Sequence, residues 1–314
     1  MDKIKKYLKP VGICLTVIAL IYLVKKIIEM DVDFSEFTSQ NMLCALAIAA
    51  AFQTVSVLAG SYPWLNFIKA FSDKEISFKK AMSTYAKSNI LKYLPGNVFQ
   101  YIGRNKLASD MDISHIDVAC STILDIFFNI FVTGIFSVLL LGKSIAVLLE
   151  KYKDNFVVFL IAGAICLTIA IIIIFCLRKK LGGYFSRYIE AIKGKNKKFI
   201  FCGCSYYIIV IGISAVINYI CARLVFGSSI ISSDIIGIVG AYMFAWIIGF
   251  ITPGSPGGIG IRESVMLLIS TNVYENSVML YVLMFRLSGI ISDVLAFTIA
   301  LISDQIEKRK NYGA

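Results

Sequence analysis

The sequence has very little of the material from which metal centres and hydrolytic active sites are usually built. It contains a single histidine, His115, and its eight cysteines include no C-x-x-C pair. Zinc sites rely on clustered cysteine and histidine ligands, and Ser-His-Asp catalysis needs a positioned histidine. We therefore expect no metal site and no bound cofactor. The cysteines lie in or beside apolar runs, where they behave as small hydrophobic side chains.

Charged residues are also scarce, at 16%, whereas hydrophobic residues reach 58%. The mean hydropathy of +0.79 lies outside the range of soluble globular proteins. Apolar runs of about 20 residues, the length that crosses a bilayer, recur along the chain. The composition predicts an all-α, polytopic membrane bundle that forms a single integral membrane domain over 1–314. The predicted spans are 11–28, 41–61, 118–141, 156–177, 199–225, 235–251, 259–271 and 277–302.

Positive charge is distributed unevenly among the predicted loops. Lysine and arginine number 4, 8, 8 and 3 in the segments 1–10, 62–117, 178–198 and 303–314. They number 0, 3, 0 and 0 in the segments 29–40, 142–155, 226–234 and 272–276. The positive-inside rule then places both termini in the cytoplasm of a multi-pass plasma-membrane protein, which requires an even number of crossings, about eight.

The same rule accounts for the net charge of +11, so we do not expect nucleic acid as a partner. The long segment 62–117 is predicted to be cytoplasmic. Within it, 76–94 mixes apolar residues with lysines, a pattern typical of a helix that lies in the membrane interface.

The most informative stretch runs from Thr252 to Glu263, TPGSPGGIGIRE, between two apolar runs. Its two prolines and four glycines cannot continue a helix. Non-helical backbone at membrane depth requires protein or a water-filled cavity to satisfy its polar groups. Arg262 then opens the next helical segment, where backbone N–H groups favour an anion. We favour a site for an anionic lipid head group here; the alternative is a short cytoplasmic turn.

A second stretch repeats the spacing of the first. Pro95-Gly96 precedes Arg104 as Pro253-Gly254 precedes Arg262, which gives P-G-x7-R in both places. Paired segments interrupted by Gly and Pro often mark the binding site of a transporter. We therefore predict two broken or re-entrant segments, near 95–104 and 253–263, that face one cavity.

Ionisable and amide side chains inside the predicted spans are costly in lipid and usually face the bundle interior. Arg286 and Asp293 lie two helical turns apart in the last span, and Asp125 and Asn129 share a face of the third. We predict that Arg286 joins Arg104 and Arg262 in a cationic pocket. Asp125, Asn129 and Asp293 are supporting candidates, for which pairing that fixes helix packing is an equal alternative.

These residues together resemble the flippase-like membrane domain family, which includes the N-terminal part of bacterial lysyl-phosphatidylglycerol synthase/flippases. The resemblance is carried by Gly257 to Glu263, by Leu94-Pro95-Gly96 with Gly103-Arg104, and by Phe285-Arg286-Leu287. It implies a bundle with re-entrant helices that binds or translocates anionic phospholipid or polyprenyl-linked head groups. The substrate-binding residues that it implies are Pro95, Gly96, Arg104, Pro256, Gly257, Gly258, Gly260, Arg262, Glu263 and Arg286.

Two other classes of function stay open. The first is a membrane transferase with a lipid-linked donor, supported by the D-x-D of Asp31 and Asp33, which could hold a metal beside donor phosphates. The second is a non-transporting partner of a lipid-modifying enzyme in the cell envelope. Fused members of the resembling family carry a soluble aminoacyl-transfer domain, whereas about a dozen residues follow the last span here. Aminoacyl-phospholipid synthesis is therefore not expected.

Overall fold

The computed structural model describes residues 34–72, 74–94, 98–142, 186, 189, 191, 194, 197–227, 230–252, 256–269 and 275–312. Within these ranges the chain is helical and contains no strand, which confirms the all-α prediction. The helices are α1 (Gln40–Ala59), α2 (Ser61–Phe71), α3 (Phe78–Asn89), α4 (Phe99–Ser109), α5 (His115–Leu141), α6 (Lys197–Phe226), α7 (Ser232–Ile251), α8 (Ile261–Ile269) and α9 (Glu275–Tyr312). Short 3-10 turns occupy Phe34–Thr38, Ile90–Tyr93 and Pro256–Gly258.

Five helical stretches of the described residues are long and apolar enough to cross a membrane. They are Gln40–Phe71, His115–Leu141, Lys197–Phe226, Ser232–Ile251 and Ser277–Glu307, which correspond to five of the predicted spans. The predicted spans 11–28 and 156–177 lie outside the described residues. In the described part of the predicted span 259–271 lies α8, whose nine residues measure about 14 Å. These nine residues cover less than half of the bilayer's hydrocarbon core of about 30 Å, so they are too short to cross it by themselves.

The helical path of the first described span extends beyond its predicted end at residue 61. Helix α2 follows α1 directly after Gly60 and buries Trp64, Phe67 and Ile68 completely. A Cβ atom at Gly60 would lie 3.1 Å from the ring of Tyr85, so this junction packs closely against α3. The segment 62–117 is thus packed into the bundle through α2, α3 and α4, and its cytoplasmic location stays a prediction.

Small residues and ion pairs join α3 to the C-terminal half of α9. Ala86 packs against Ala296 and Ala300, and all three are buried. Lys87 pairs with Asp304 at one end of this contact. Small side chains let helix backbones approach closely, which is the common mode of helix packing in membranes. Helix α9 therefore provides a long support for the elements that surround the functional site.

Candidate functional site

The described parts of the two interrupted segments line one cavity of about 490 Å³. Arg104 of α4 and Arg262 of α8 both line it, as the shared P-G-x7-R spacing predicts. Arg286 and Lys92 are the other basic residues of its lining, and Asp125, Glu263 and Asp293 are the acidic ones. Four basic side chains against three acidic ones leave the described lining with one net positive charge.

Arg262 lies in a slot formed by glycine backbone. A Cβ atom at Gly249 of α7 would lie 2.5 Å from the Arg262 Cγ atom, and one at Gly258 would lie 3.0 Å from Nε. Gly258 has a φ of +73°, and its Cβ atom would also lie 2.8 Å from the Gly249 carbonyl oxygen. Glycine is therefore required at 258 both for its conformation and for this close approach.

The Arg262 side chain is partly buried, and its guanidinium has few partners. It lies 5.6 Å from the ring centroid of Trp246 and beside the Tyr242 hydroxyl. Within the described residues it forms no salt bridge, and its buried Nε atom has no hydrogen-bond acceptor. A buried donor without an acceptor costs about 1–3 kcal/mol, so an oxygen atom of a ligand would be stabilised here.

Arg286 of α9 holds the glycine-rich loop in place. Its Nε atom donates to Glu263 Oε1 at 2.7 Å, and its two Nη atoms donate to the carbonyl oxygens of Gly257 and Gly258. Glu263 Oε2 accepts from the backbone N–H of Gly260 at 2.8 Å, which caps the start of α8. These contacts provide the internal partners that non-helical backbone needs at membrane depth.

Arg104 is a buried member of an ion pair. Its Nη1 atom lies 3.0 Å from Asp125 Oδ2, and the two side chains are 2% and 6% exposed. The guanidinium also stacks 3.8 Å from the ring centroid of Tyr85. Burial acts to lower the pKa of Arg104, but Tyr85 and Asp125 raise it above its usual value, so Arg104 stays charged. Asp125 accepts further hydrogen bonds from the hydroxyls of Tyr85 and Tyr207.

Asp293 of α9 holds the residues that precede Pro95. It accepts from Asn89 Nδ2 at 2.6 Å and from the Tyr93 hydroxyl at 2.5 Å, and it pairs with Lys92 Nζ at 2.7 Å. Burial, followed by the adjacent Asp293 carboxylate, raises the pKa of Tyr93. The Tyr93 ring approaches Gly257, so the turns before Pro95 and after Pro253 are neighbours. Arg286 and Asp293, two turns apart, thus each hold one interrupted segment.

The cavity lining includes most of the residues that the sequence predicts: Arg104, Asp125, Asn129, Gly257, Arg262, Glu263, Arg286 and Asp293. Gly258 and Gly260 shape the loop beside it, and Pro256 begins the 3-10 turn. Pro95 and Gly96 lie outside the described residues, as do Asp31 and Asp33. Sequence reasoning missed Tyr85, Tyr207 and Trp246, because aromatic residues are too common in this chain for any one to be informative.

Long apolar helices around a charged cavity, which the described parts of the interrupted segments help to line, define a polytopic α-helical membrane protein with an internal polar site. Among protein families, residues 10–296 match the one described as the lysylphosphatidylglycerol synthase TM region. Because the match covers most of the chain, the protein belongs to this family, as the sequence motifs predict. No curated protein matches the chain.

Proposed function

We propose that this protein binds an anionic lipid by its phosphate in the cavity and carries the head group across the bilayer. The observation that carries the proposal is Arg262, a guanidinium without an acidic partner in the described residues and with a buried N–H that lacks an acceptor. A phosphate would supply both the charge and the acceptor, and arginine binds phosphate through parallel hydrogen bonds. The family is associated with lipid translocation, which supports the same reading.

The proposal gives the three arginines different tasks. Arg262 is the direct phosphate ligand. Arg286 and Arg104 are positioning residues, because they already donate hydrogen bonds within the protein. Arg286 donates to Glu263 and to the loop carbonyl oxygens, and Arg104 donates to Asp125. This division differs from the sequence-based expectation, in which all three arginines are substrate-binding residues of one cationic pocket.

The proposal also includes a topology and a class of ligand. We place both termini in the cytoplasm of a plasma-membrane protein with about eight crossings. An even count requires the broken segment that contains the Pro256–Gly258 turn and α8 to complete one of these crossings together with a neighbouring segment. The ligand is an anionic phospholipid or a polyprenyl-linked lipid, and a lipid-modifying enzyme is a further partner. For Lys195→Cys on a cysteine-free background, labelling only from the cytoplasmic side supports this topology. Labelling from outside contradicts it.

Transport in reconstituted vesicles tests the function. Phosphatidylglycerol with a fluorescent acyl chain is incorporated, and an impermeant quencher reports how fast lipid moves between leaflets. We expect Arg262→Met to lose most of the transport seen with wild type, and Arg262→Lys to lose nearly as much, since lysine offers only a point charge. Lys106→Met, a change at an exposed residue of α4, should transport at the wild-type rate. Wild-type transport by Arg262→Met would refute the proposal.

A further inference from the structure

Each carboxylate of the cavity is already paired with a protein cation and accepts a hydrogen bond at both of its oxygens. Asp125 Oδ1 accepts from Tyr207, and its Oδ2 accepts from Arg104 and Tyr85. Glu263 accepts from Arg286 at Oε1 and from the Gly260 N–H at Oε2.

Asp293 follows the same pattern. Its Oδ1 accepts from Asn89, and its Oδ2 accepts from Tyr93 and pairs with Lys92. All three acidic residues are buried. An ammonium group entering the cavity would therefore meet no free carboxylate among the described lining residues.

The charge of the lining matches a ligand with one negative charge. The described lining has one net positive charge, and Arg262 is its arginine without an acidic partner. A phosphodiester carries a single negative charge and would neutralise the site. A head group that also carries an amine would bring a positive charge into a buried region, where an unpaired charge is costly.

The uncharged part of the lining is suited to hydroxyl groups. Five amide side chains line the cavity: Gln53, Asn89, Gln100, Asn129 and Asn218. Asn129 accepts from Thr133, four residues later on α5, whereas Asn218 on α6 is already bonded to Ser214 and Tyr281. The Asn129 Nδ2 atom makes no hydrogen bond with the described residues. Amides both donate and accept, as a hydroxyl group does, so they can bind a polyol in several orientations.

We infer that the cavity selects a lipid with one phosphodiester and an uncharged, hydroxyl-bearing head group, and that it discriminates against aminoacylated head groups. The inference rests on the proposed function, because it assumes that the lipid phosphate binds at Arg262. It gives the Asn129 amide of α5 the task of recognising head-group hydroxyls. Selection then follows from this amide together with the absence of an unpaired carboxylate among the described lining residues.

Competition binding with four lipids tests the inference. The purified protein in nanodiscs is loaded with fluorescent phosphatidylglycerol, which is displaced by phosphatidylglycerol, its lysyl ester, phosphatidylethanolamine or phosphatidylmethanol. The lysyl ester and phosphatidylethanolamine should bind at least about tenfold more weakly than phosphatidylglycerol, the effect of one charge-assisted hydrogen bond. Phosphatidylmethanol has the same charge but no hydroxyl group, and it should bind about fivefold more weakly, the effect of one neutral hydrogen bond.

Two substitutions at Asn129 sharpen the test. Asn129→Leu should abolish the preference for phosphatidylglycerol over phosphatidylmethanol. Asn129→Asp introduces a free carboxylate and should strengthen binding of the lysyl ester about tenfold relative to phosphatidylglycerol. Gln40→Glu adds the same charge at an exposed residue outside the cavity, and it should rank the four lipids by affinity as wild type does.

The outcomes separate this inference from the proposed function. Equal or tighter binding of the lysyl ester by wild type, together with loss of all binding in Arg262→Met, would overturn the head-group selectivity and leave the lipid site intact. No displacement by any of the four lipids would overturn both. If both Asn129 variants rank the four lipids by affinity as wild type does, the Asn129 amide does not recognise the head group. This result would also overturn the inference.

Discussion

Arg104 and Arg262 follow the same P-G-x7-R spacing and line the same cavity, yet their surroundings are opposite. Arg104 is enclosed by Asp125 at 3.0 Å and by the Tyr85 ring at 3.8 Å. Arg262 lies against the backbone of Gly249 and Gly258 and has no acidic partner in the described residues. The charge of Arg104 is therefore compensated within the protein before any ligand binds, whereas the charge of Arg262 is not.

This difference indicates that Arg104 stabilises helix packing, whereas Arg262 binds the ligand. A buried charge that is paired within the protein fixes the packing of its helices, and removing either partner leaves the other charge uncompensated. A partly buried guanidinium without an acidic partner is stabilised further when an anion binds. The comparison predicts that substitutions on the Arg104 side reduce stability, whereas Arg262 substitutions reduce lipid binding.

The largest loss of stability is expected for Asp125→Leu, because this change leaves Arg104 buried without a counter-charge. We expect a loss of about 3–5 kcal/mol, measured by denaturant unfolding in detergent. The double variant Arg104→Met/Asp125→Leu should recover much of this loss, since neither charge remains. The control is Lys79→Met, which breaks an exposed pair with Glu307 and should cost at most about 1 kcal/mol. Equal losses for Asp125→Leu and Lys79→Met would contradict the structural role of the Arg104 pair.

The next largest effect is expected for Arg286→Lys. Lysine keeps the charge near Glu263 but cannot hold the carbonyl oxygens of Gly257 and Gly258 at the same time. We expect a loss of about 2–3 kcal/mol, equivalent to two or three hydrogen bonds. Hydrogen exchange should increase in 256–263 and remain unchanged in α1. Unchanged exchange in the loop would show that Arg286 does not hold it.

A smaller effect is expected for Gly258→Ala, which is best compared with Gly227→Ala. Both glycines have positive φ, +73° and +70°, but a Cβ atom at Gly227 would have no neighbour within 4 Å. Gly227→Ala should cost about 1–2 kcal/mol from its conformation alone. Gly258→Ala should cost more and should also reduce transport, because it displaces Arg262. If the two variants behave alike in stability and transport, the close approach to Gly249 has no role.

The smallest effect on stability is expected for Arg262→Met. No ion pair of the described residues is lost, and a buried donor without an acceptor is removed. The free energy of unfolding should change by less than about 1 kcal/mol, the scale of one hydrogen bond, although transport is lost. A destabilisation as large as that of Asp125→Leu would show that Arg262 is a packing residue.

The sequence predicts the helical class, the five described spans and the shared cavity, because these depend on hydropathy and on Gly and Pro positions. It does not predict which arginine has its charge compensated within the protein. The partners of Arg104 come from α3 and α5, and those of Arg286 come from the glycine-rich turn and α8, more than 20 positions earlier in the chain. Spacing along one segment carries no information on such long-range pairs, so equal motifs were given equal roles.

The two tryptophans provide the most direct test of the claim that Arg262 binds the lipid phosphate. The Trp64 ring centroid lies 5.7 Å from the Arg104 Cζ atom, and the Trp246 ring centroid lies 5.6 Å from the Arg262 Cζ atom. Trp64→Phe leaves Trp246 as the only tryptophan and removes no hydrogen bond, because the Trp64 indole N–H has no acceptor in the described residues. Titration of this protein with phosphatidylglycerol should change the Trp246 emission. The change should persist when Lys106→Met is added and disappear when Arg262→Met is added. An unchanged response after Arg262→Met would contradict the claim that Arg262 binds the lipid phosphate.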